Sequence, residues 1–114
     1  LAFLWEITLG GFSPMLYSYT SFFQSFLDVN ALEAFDFWVA DYREPTGTKC
    51  PYKGKHSIWQ YMGDAGTCDG VLGSCDLNIC YKNYGENEKP DYERLFKELY
   101  GEIQNLQEKY KGRP

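Results

Sequence analysis

Residues 57–80, SIWQYMGDAGTCDGVLGSCDLNIC, decide how the fold is interpreted. They contain two short apolar segments, 57–61 and 75–80, joined by a connection rich in glycine and aspartate. Short apolar runs bounded by turn residues are typical of strands. The second segment carries one acid, Asp76. Because desolvating a carboxylate is costly, Asp76 is either an acid at a strand edge that faces water or a site residue at the end of a core strand.

The composition is that of one folded domain. A chain of 114 residues, 44% of them hydrophobic, can bury a single core. Aromatic residues make up 18%, a proportion that suits sugar-binding surfaces as well as cores. The 11 basic residues are scattered and the net charge is −5, which argues against a nucleic-acid surface. No apolar run approaches the roughly 20 residues of a membrane span, so neither nucleic acid nor membrane is an expected partner.

Four cysteines lie in the second half of the chain: Cys50, Cys68, Cys75 and Cys80. Their spacings do not match those of paired zinc ligands, and the chain has one histidine, so neither a metal nor another cofactor is expected. An even number of cysteines suits disulfides in an oxidising compartment, whereas reduced, buried thiols are the alternative. In a strand, residues 75–80 would span about 17 Å, too far for Cys75 and Cys80 to bond with each other.

Hydrophobic periodicity and turn residues predict seven elements. They are, in chain order, a helix at 1–9, a strand at 14–19, a helix at about 20–27, a strand at 35–40, the strands at 57–61 and 75–80, and a helix at about 90–110. The last helix is amphipathic, because its apolar residues recur three and four positions apart. Strands separated by a helix indicate a parallel α/β architecture.

Four of these segments resemble strand motifs of glycoside hydrolase family 25, the muramidase-type lysozymes of bacteria and their phages. The motifs are, in order, PMLYS at 14–18, FWVADY at 37–42, IWQY at 58–61 and GVLGSCDLN at 70–78. The resemblance identifies residues 1–82 as the C-terminal half of the family's catalytic domain, followed by a linker at 83–89 and an amphipathic helix and tail at 90–114. It implies a partial (β/α) barrel of the irregular TIM-like type, with strands similar to the fifth to eighth of the barrel.

The resemblance also implies an activity. The family cleaves the β-1,4 bond between N-acetylmuramic acid and N-acetylglucosamine, so the expected partner is the peptidoglycan glycan strand and the expected location is extracellular or in the cell wall. Active residues of such barrels lie at the C-terminal ends of the strands. By this resemblance Asp76 is a supporting acid of the catalytic cleft. The positions expected to bind substrate are Tyr17, Asp41, Gln60 and Tyr61.

The main catalytic pair is not found among the predicted strands. Glycoside hydrolysis uses two carboxyl groups, which in this family form an Asp-x-Glu motif at the end of the fourth strand. The one Asp-x-Glu of the sequence is Asp91-Tyr92-Glu93, and it opens a helix, where acids complement the helix dipole. We therefore expect a fragment that is inactive alone and whose upstream half carries the pair. The alternative is a non-catalytic sugar-binding or structural half-barrel.

A half-barrel also has unpaired sheet edges. Four parallel strands would leave two edges open and the core unclosed, which invites aggregation. We expect that a second copy or the missing N-terminal half closes the barrel, or that the helix at 90–110 covers exposed apolar surface.

Overall fold

The computed structural model of the protein describes residues 1–85 and 92–112. Within these ranges the chain forms α1 (Ala2–Leu9), β1 (Met15–Tyr19), α2 (Thr20–Ser25), β2 (Asp36–Ala40), β3 (Ile58–Met62), β4 (Leu77–Cys80) and α3 (Tyr92–Tyr110). All seven predicted elements are therefore present, with ends that differ from the predictions by one or two residues. The predicted helix start at Pro90 and the linker positions 86–89 lie outside the described residues.

The chain divides into two compact units. One unit, Met15–Gly85, contains the four strands and α2. The described part of the other, residues 1–14 and 92–112, contains α1 and α3. In this second unit α1 and α3 line an apolar groove of about 570 Å³, and Trp5 and Leu95 are buried. In the described ranges, no helix combines the length and the apolar character needed to cross a membrane.

The four strands form one open sheet in the order β1-β2-β3-β4. β1 pairs with β2 in parallel, with Tyr17 opposite Trp38. β2 pairs with β3 in parallel, with Ala40 opposite Gln60. The predicted mixed α/β class is confirmed, and α2 supplies the predicted helix between the first two strands.

The last strand runs antiparallel to its neighbour β3, so the prediction of four parallel strands is wrong. A parallel return would need a crossover connection, usually a helix. Residues 63–76 instead fold into turns, in which the Gly66 N–H donates to the Gly63 carbonyl at 2.8 Å and the Cys75 N–H donates to the Gly66 carbonyl at 2.9 Å. A Cβ on Gly66 would lie 2.1 Å from the Cys75 carbonyl oxygen. This close approach requires glycine and lets the chain reverse.

The two faces of the sheet differ in how well they are covered. Successive residues of a strand point to opposite faces, and Phe37, Val39 and Trp59 share one face on which each is at most 1% exposed. Phe23 of α2 packs on Phe37, with ring centroids 4.9 Å apart. The opposite side, here called the open face, includes Tyr17, Tyr19, Trp38, Ile58 and Asn78, together with the buried Gln60. Its Tyr17 is 51% exposed, although parallel sheets are usually covered on both faces.

Replacing Trp59 by alanine should destabilise the sheet strongly. Trp59 is fully buried, and its Nε1 donates to the Asp41 carbonyl at 2.9 Å. We expect Trp59→Ala to lower the free energy of unfolding by about 3–5 kcal/mol, measured by urea denaturation with circular dichroism. The control, Leu72→Ala, removes a fully exposed side chain and should cost less than about 0.5 kcal/mol. Equal losses in the two variants would contradict this position of Trp59 in the core.

Candidate functional site

A buried glutamine is hydrogen bonded to three side chains from distant parts of the sequence. Gln60 is 3% exposed. Its Oε1 accepts hydrogen bonds from the hydroxyl of Tyr17 at 2.7 Å and from that of Tyr42 at 2.6 Å. Its Nε2 donates to Oδ2 of Asp76 at 3.1 Å. Because an ionised carboxylate can only accept hydrogen bonds, the group facing Asp76 must be Nε2 of Gln60. This contact fixes the orientation of the Gln60 amide. These four side chains are called the Gln60 network below.

The sheet topology brings the network together at one edge. Tyr17 lies within β1, Tyr42 lies two residues beyond β2, and Gln60 lies within β3. The C-terminal ends of the three parallel strands lie side by side, and this end of the sheet is the edge meant here. Asp76 was predicted at the end of a core strand, but it directly precedes β4. It still reaches this edge because β4 runs in the opposite direction and begins where β3 ends.

The Asp76 side chain is both exposed and hydrogen bonded. It lies at the start of a strand, in contact with water, so no carboxylate is buried in β4. Its bond to Gln60 links it to the two tyrosines of the network. The exposure agrees with the interpretation of Asp76 as an acid that faces water. Its catalytic role stays a prediction.

The network includes Tyr42, which was not among the predicted site residues. Burial raises the pKa of Tyr42, and the nearby Tyr17 and Asp76 raise it further. The phenol therefore stays protonated and donates to Gln60. The signal in the sequence was the position of Tyr42 directly after Asp41 at the end of a strand, since such positions reach the same edge as the other site residues.

The Asp41 carboxylate belongs to a second polar cluster. Its side chain is 3% exposed, and it accepts hydrogen bonds from the Thr20 hydroxyl and from Nε and Nη2 of Arg43, the latter two at 2.9 and 2.6 Å. Hydrogen bonding from Arg43, then from Thr20, lowers the pKa of Asp41 to about 2 against the opposing effect of burial. Asp41 is thus enclosed by protein partners, and the exposed member of this cluster is Arg43.

Tyr61 lies apart from the Gln60 network. It is next to Gln60 in β3 and so projects away from it, and its ring lies 5.6 Å from that of Trp59. On the other side, a Cβ on Gly47 would lie 3.2 Å from the Tyr61 ring, so the connection between β2 and β3 packs against it. The role of Tyr61 in substrate binding stays a prediction.

A groove lies beside the network. It has a volume of about 550 Å³, within the usual range for small-molecule sites. The lining residues come from β1, α2 and the end of β2: Tyr17, Tyr19, Thr20, Ser21, Gln24, Ala40, Asp41, Tyr42 and Arg43. Two tyrosines of the network therefore also line the groove. Its surface combines aromatic rings with hydrogen-bonding groups, as sugar ligands require.

The cysteines and the histidine lie outside the site. All four cysteines are free thiols, and burial raises the pKa of Cys50. His56 packs edge-on against Tyr52 and Tyr81, and its Nδ1 lies 2.8 Å from the Gly54 carbonyl oxygen. Among residues 1–85 and 92–112, no three His, Cys, Asp or Glu side chains are grouped so that they could hold a metal ion.

The Asp41 cluster should make stability depend on acid pH. Because the pKa of Asp41 falls from an ordinary 3.8 to about 2 on folding, its contribution is fully present above about pH 4 and is lost as the pH falls through 2. The contribution is about 2 kcal/mol. Urea denaturation between pH 6 and pH 2.5 should show the loss in the wild type. In Asp41→Asn the loss should be smaller, because the contribution of Asp41 is gone while Asp36 and Glu44, whose pKa values are also lowered, still contribute. Parallel curves for the two proteins would contradict the low pKa of Asp41.

Comparison with known proteins places the chain in a family. Residues 1–71 match the family model for glycosyl hydrolases family 25. These residues include Tyr17, Asp41, Gln60 and Tyr61, and they end before Asp76.

A solved structure is also similar to the chain. It is described as "Crystal structure of the CTP1L endolysin reveals how its activity is regulated by a secondary translation product", with 26% sequence identity and a TM-score of 0.52. The similarity covers 69% of this chain and 28% of the endolysin chain. The search of curated proteins finds no match. Since the family model matches well over half of its residues, the chain belongs to glycosyl hydrolase family 25.

Proposed function

We propose that this chain forms part of a lysozyme-type hydrolase that cleaves peptidoglycan between N-acetylmuramic acid and N-acetylglucosamine. Residues 1–82 would supply the C-terminal half of a TIM-like catalytic barrel. The observation that carries the proposal is the Gln60 network, which presents Tyr17, Tyr42 and Asp76 at one edge of a family 25 sheet. The location that follows from this substrate is the bacterial cell wall.

In this proposal Asp76 supports the reaction and does not perform proton transfer. Glycoside hydrolysis passes through an oxocarbenium-like transition state that carries positive charge. An exposed carboxylate held by the Gln60 amide can stabilise that charge without reorganising, which is the electrostatic form of catalysis. Tyr17 and Tyr42 would contact the sugar through their rings while their hydroxyls stay bonded to Gln60.

The two main carboxyl groups of the reaction would come from outside this stretch of sequence. Its one Asp-x-Glu includes Glu93, an exposed acid in the first turn of α3 whose Oε1 bonds Lys97 Nζ at 3.0 Å. Asp91 lies outside the described residues. A barrel half carrying an acid pair would also cover the open face, where Tyr17 and Tyr19 are more than half exposed. A second copy of this chain is the other candidate to cover that face.

Hydrolysis of purified peptidoglycan tests the proposal. The chain alone should release no new reducing ends. Joined to a family 25 N-terminal half that carries Asp-x-Glu, it should become active, and Asp76→Asn should then reduce the rate roughly tenfold or more because the stabilising charge is lost. The control is Asp69→Asn, which removes an equal charge from an exposed loop and should leave the rate unchanged.

Three results separate this proposal from its alternative. Activity of the chain alone, or equal rates for Asp76→Asn and Asp69→Asn, would contradict the assigned roles. Binding to insoluble peptidoglycan that depends on Tyr17, but without hydrolysis by the joined protein, would identify a non-catalytic sugar-binding module. The DNA sequence preceding the codon for Leu1 gives an independent test, since an open frame without a strand ending in Asp-x-Glu would contradict the fragment hypothesis.

A further inference from the structure

The groove beside the Gln60 network contains one exposed cation held in a fixed orientation. The Arg43 side chain is 65% exposed, whereas the Asp41 side chain that binds it is 3% exposed. Asp41 is itself held by the Thr20 hydroxyl and by its place directly after β2. A ligand that enters the groove would therefore contact the guanidinium of Arg43, whereas the Asp41 carboxylate that orients this guanidinium is buried.

The Arg43 guanidinium keeps hydrogen-bond donors available. Of its five N–H groups, one on Nε and one on Nη2 are directed to Asp41. The end of the guanidinium therefore retains one N–H on each of its two Nη atoms, and these are parallel in the planar group. Two parallel donors match the two oxygens of a carboxylate.

The charges around the groove limit where an anion could bind. Among the residues that line it, the charged ones are Asp41 and Arg43, and Asp76 and Asp64 lie near enough to act on the lining residue Tyr42. The guanidinium is therefore the one lining group that attracts an anion, and a contact there has to outweigh the repulsion from these acids. The protein as a whole carries a net charge of −5 and repels anions at long range. A ligand carboxylate would thus be bound by direct hydrogen bonds at Arg43, without help from the overall field.

We infer that Arg43 is a specificity residue that recognises a carboxylate on the saccharide bound in this groove, with Asp41 as its positioning residue. The inference rests on the proposed function, and it adds which residue of this chain would recognise the carboxylate of the muramic-type sugar. The carboxylate has two sources in such glycans, the lactyl group of the sugar or the peptide attached to it. Both offer the same two oxygens to Arg43.

Binding of matched sugars to the 114-residue chain tests the inference. N-acetylmuramic acid and N-acetylglucosamine differ by the lactyl group, and N-acetylmuramoyl dipeptide moves the free carboxylate to the peptide. Dissociation constants are obtained by NMR titration, with the Nε–H resonance of Arg43 as a direct reporter. We expect N-acetylmuramic acid or the dipeptide to bind roughly tenfold more tightly than N-acetylglucosamine and to shift that resonance. The acidic ligand that binds more tightly identifies the source.

Three variants distinguish a specific contact from a general charge effect. Arg43→Gln should abolish the preference for the acidic sugar while N-acetylglucosamine binding is unchanged, and Arg43→Lys should restore little of it because the fork geometry is lost. Asp41→Asn should weaken the preference partly. Lys53→Gln removes the same charge from an exposed loop position and should have no effect.

The outcomes separate the two proposals. If both sugars bind equally and Arg43→Gln changes neither affinity, the inference is overturned while the proposed sugar site stands. If no sugar binds, including N-acetylglucosamine oligomers, the inference is overturned, and hydrolysis by the joined protein decides the proposed function separately. An acidic-sugar preference that Lys53→Gln removes as well as Arg43→Gln would also overturn the role of Arg43.

Discussion

The hydrogen bonding of one buried amide holds the site together. Gln60 is placed by β3 in a position that water hardly reaches, so each polar atom left without a partner there would cost about 1–3 kcal/mol. Two phenols satisfy its oxygen and one carboxylate accepts from its nitrogen. These partners come from β1, from the chain after β2 and from the residue before β4. The requirement that the amide oxygen and nitrogen of Gln60 both have hydrogen-bond partners therefore fixes the relative positions of all four strands at this edge.

The reversal of β4 is what makes this arrangement possible. A parallel fourth strand would have delivered its first residue to the opposite edge of the sheet, far from Gln60. The compact turns of residues 63–76 bring Asp76 back beside β3, and the register between the two strands shifts between Gln60 and Met62. Bulges of this kind often occur next to active sites, because they redirect a side chain. Here the irregularity lies directly beside the central residue of the network.

The sequence predicted the elements better than their arrangement. Apolar runs predicted all four strands, and the amphipathic pattern predicted α3. These predictions succeeded because the burial pattern of a strand or helix is visible in the order of apolar and polar residues within a short window. The direction of β4 was not predictable in this way, since it depends on the close approach of Gly66 to Cys75 rather than on any periodicity. Tyr17, Gln60 and Asp76 were selected through a family resemblance. Tyr42 and Arg43 were missed because their importance arises from partners far along the chain or from an ion pair.

The backbone joins the two polar clusters more directly than their side chains do. The Asp41 N–H donates to the Gln60 carbonyl at 3.0 Å, and the Asp41 carbonyl accepts from Trp59. The peptide groups around Asp41 are thus hydrogen bonded to β3, whereas the side chains of residues 41 and 60 form hydrogen bonds with different partners. Under the proposed function, substitutions at position 43 would alter ligand preference without repacking the residues that hold Asp76. Such a division would let a cell-wall hydrolase adapt to chemically varied glycans while its reaction chemistry is kept.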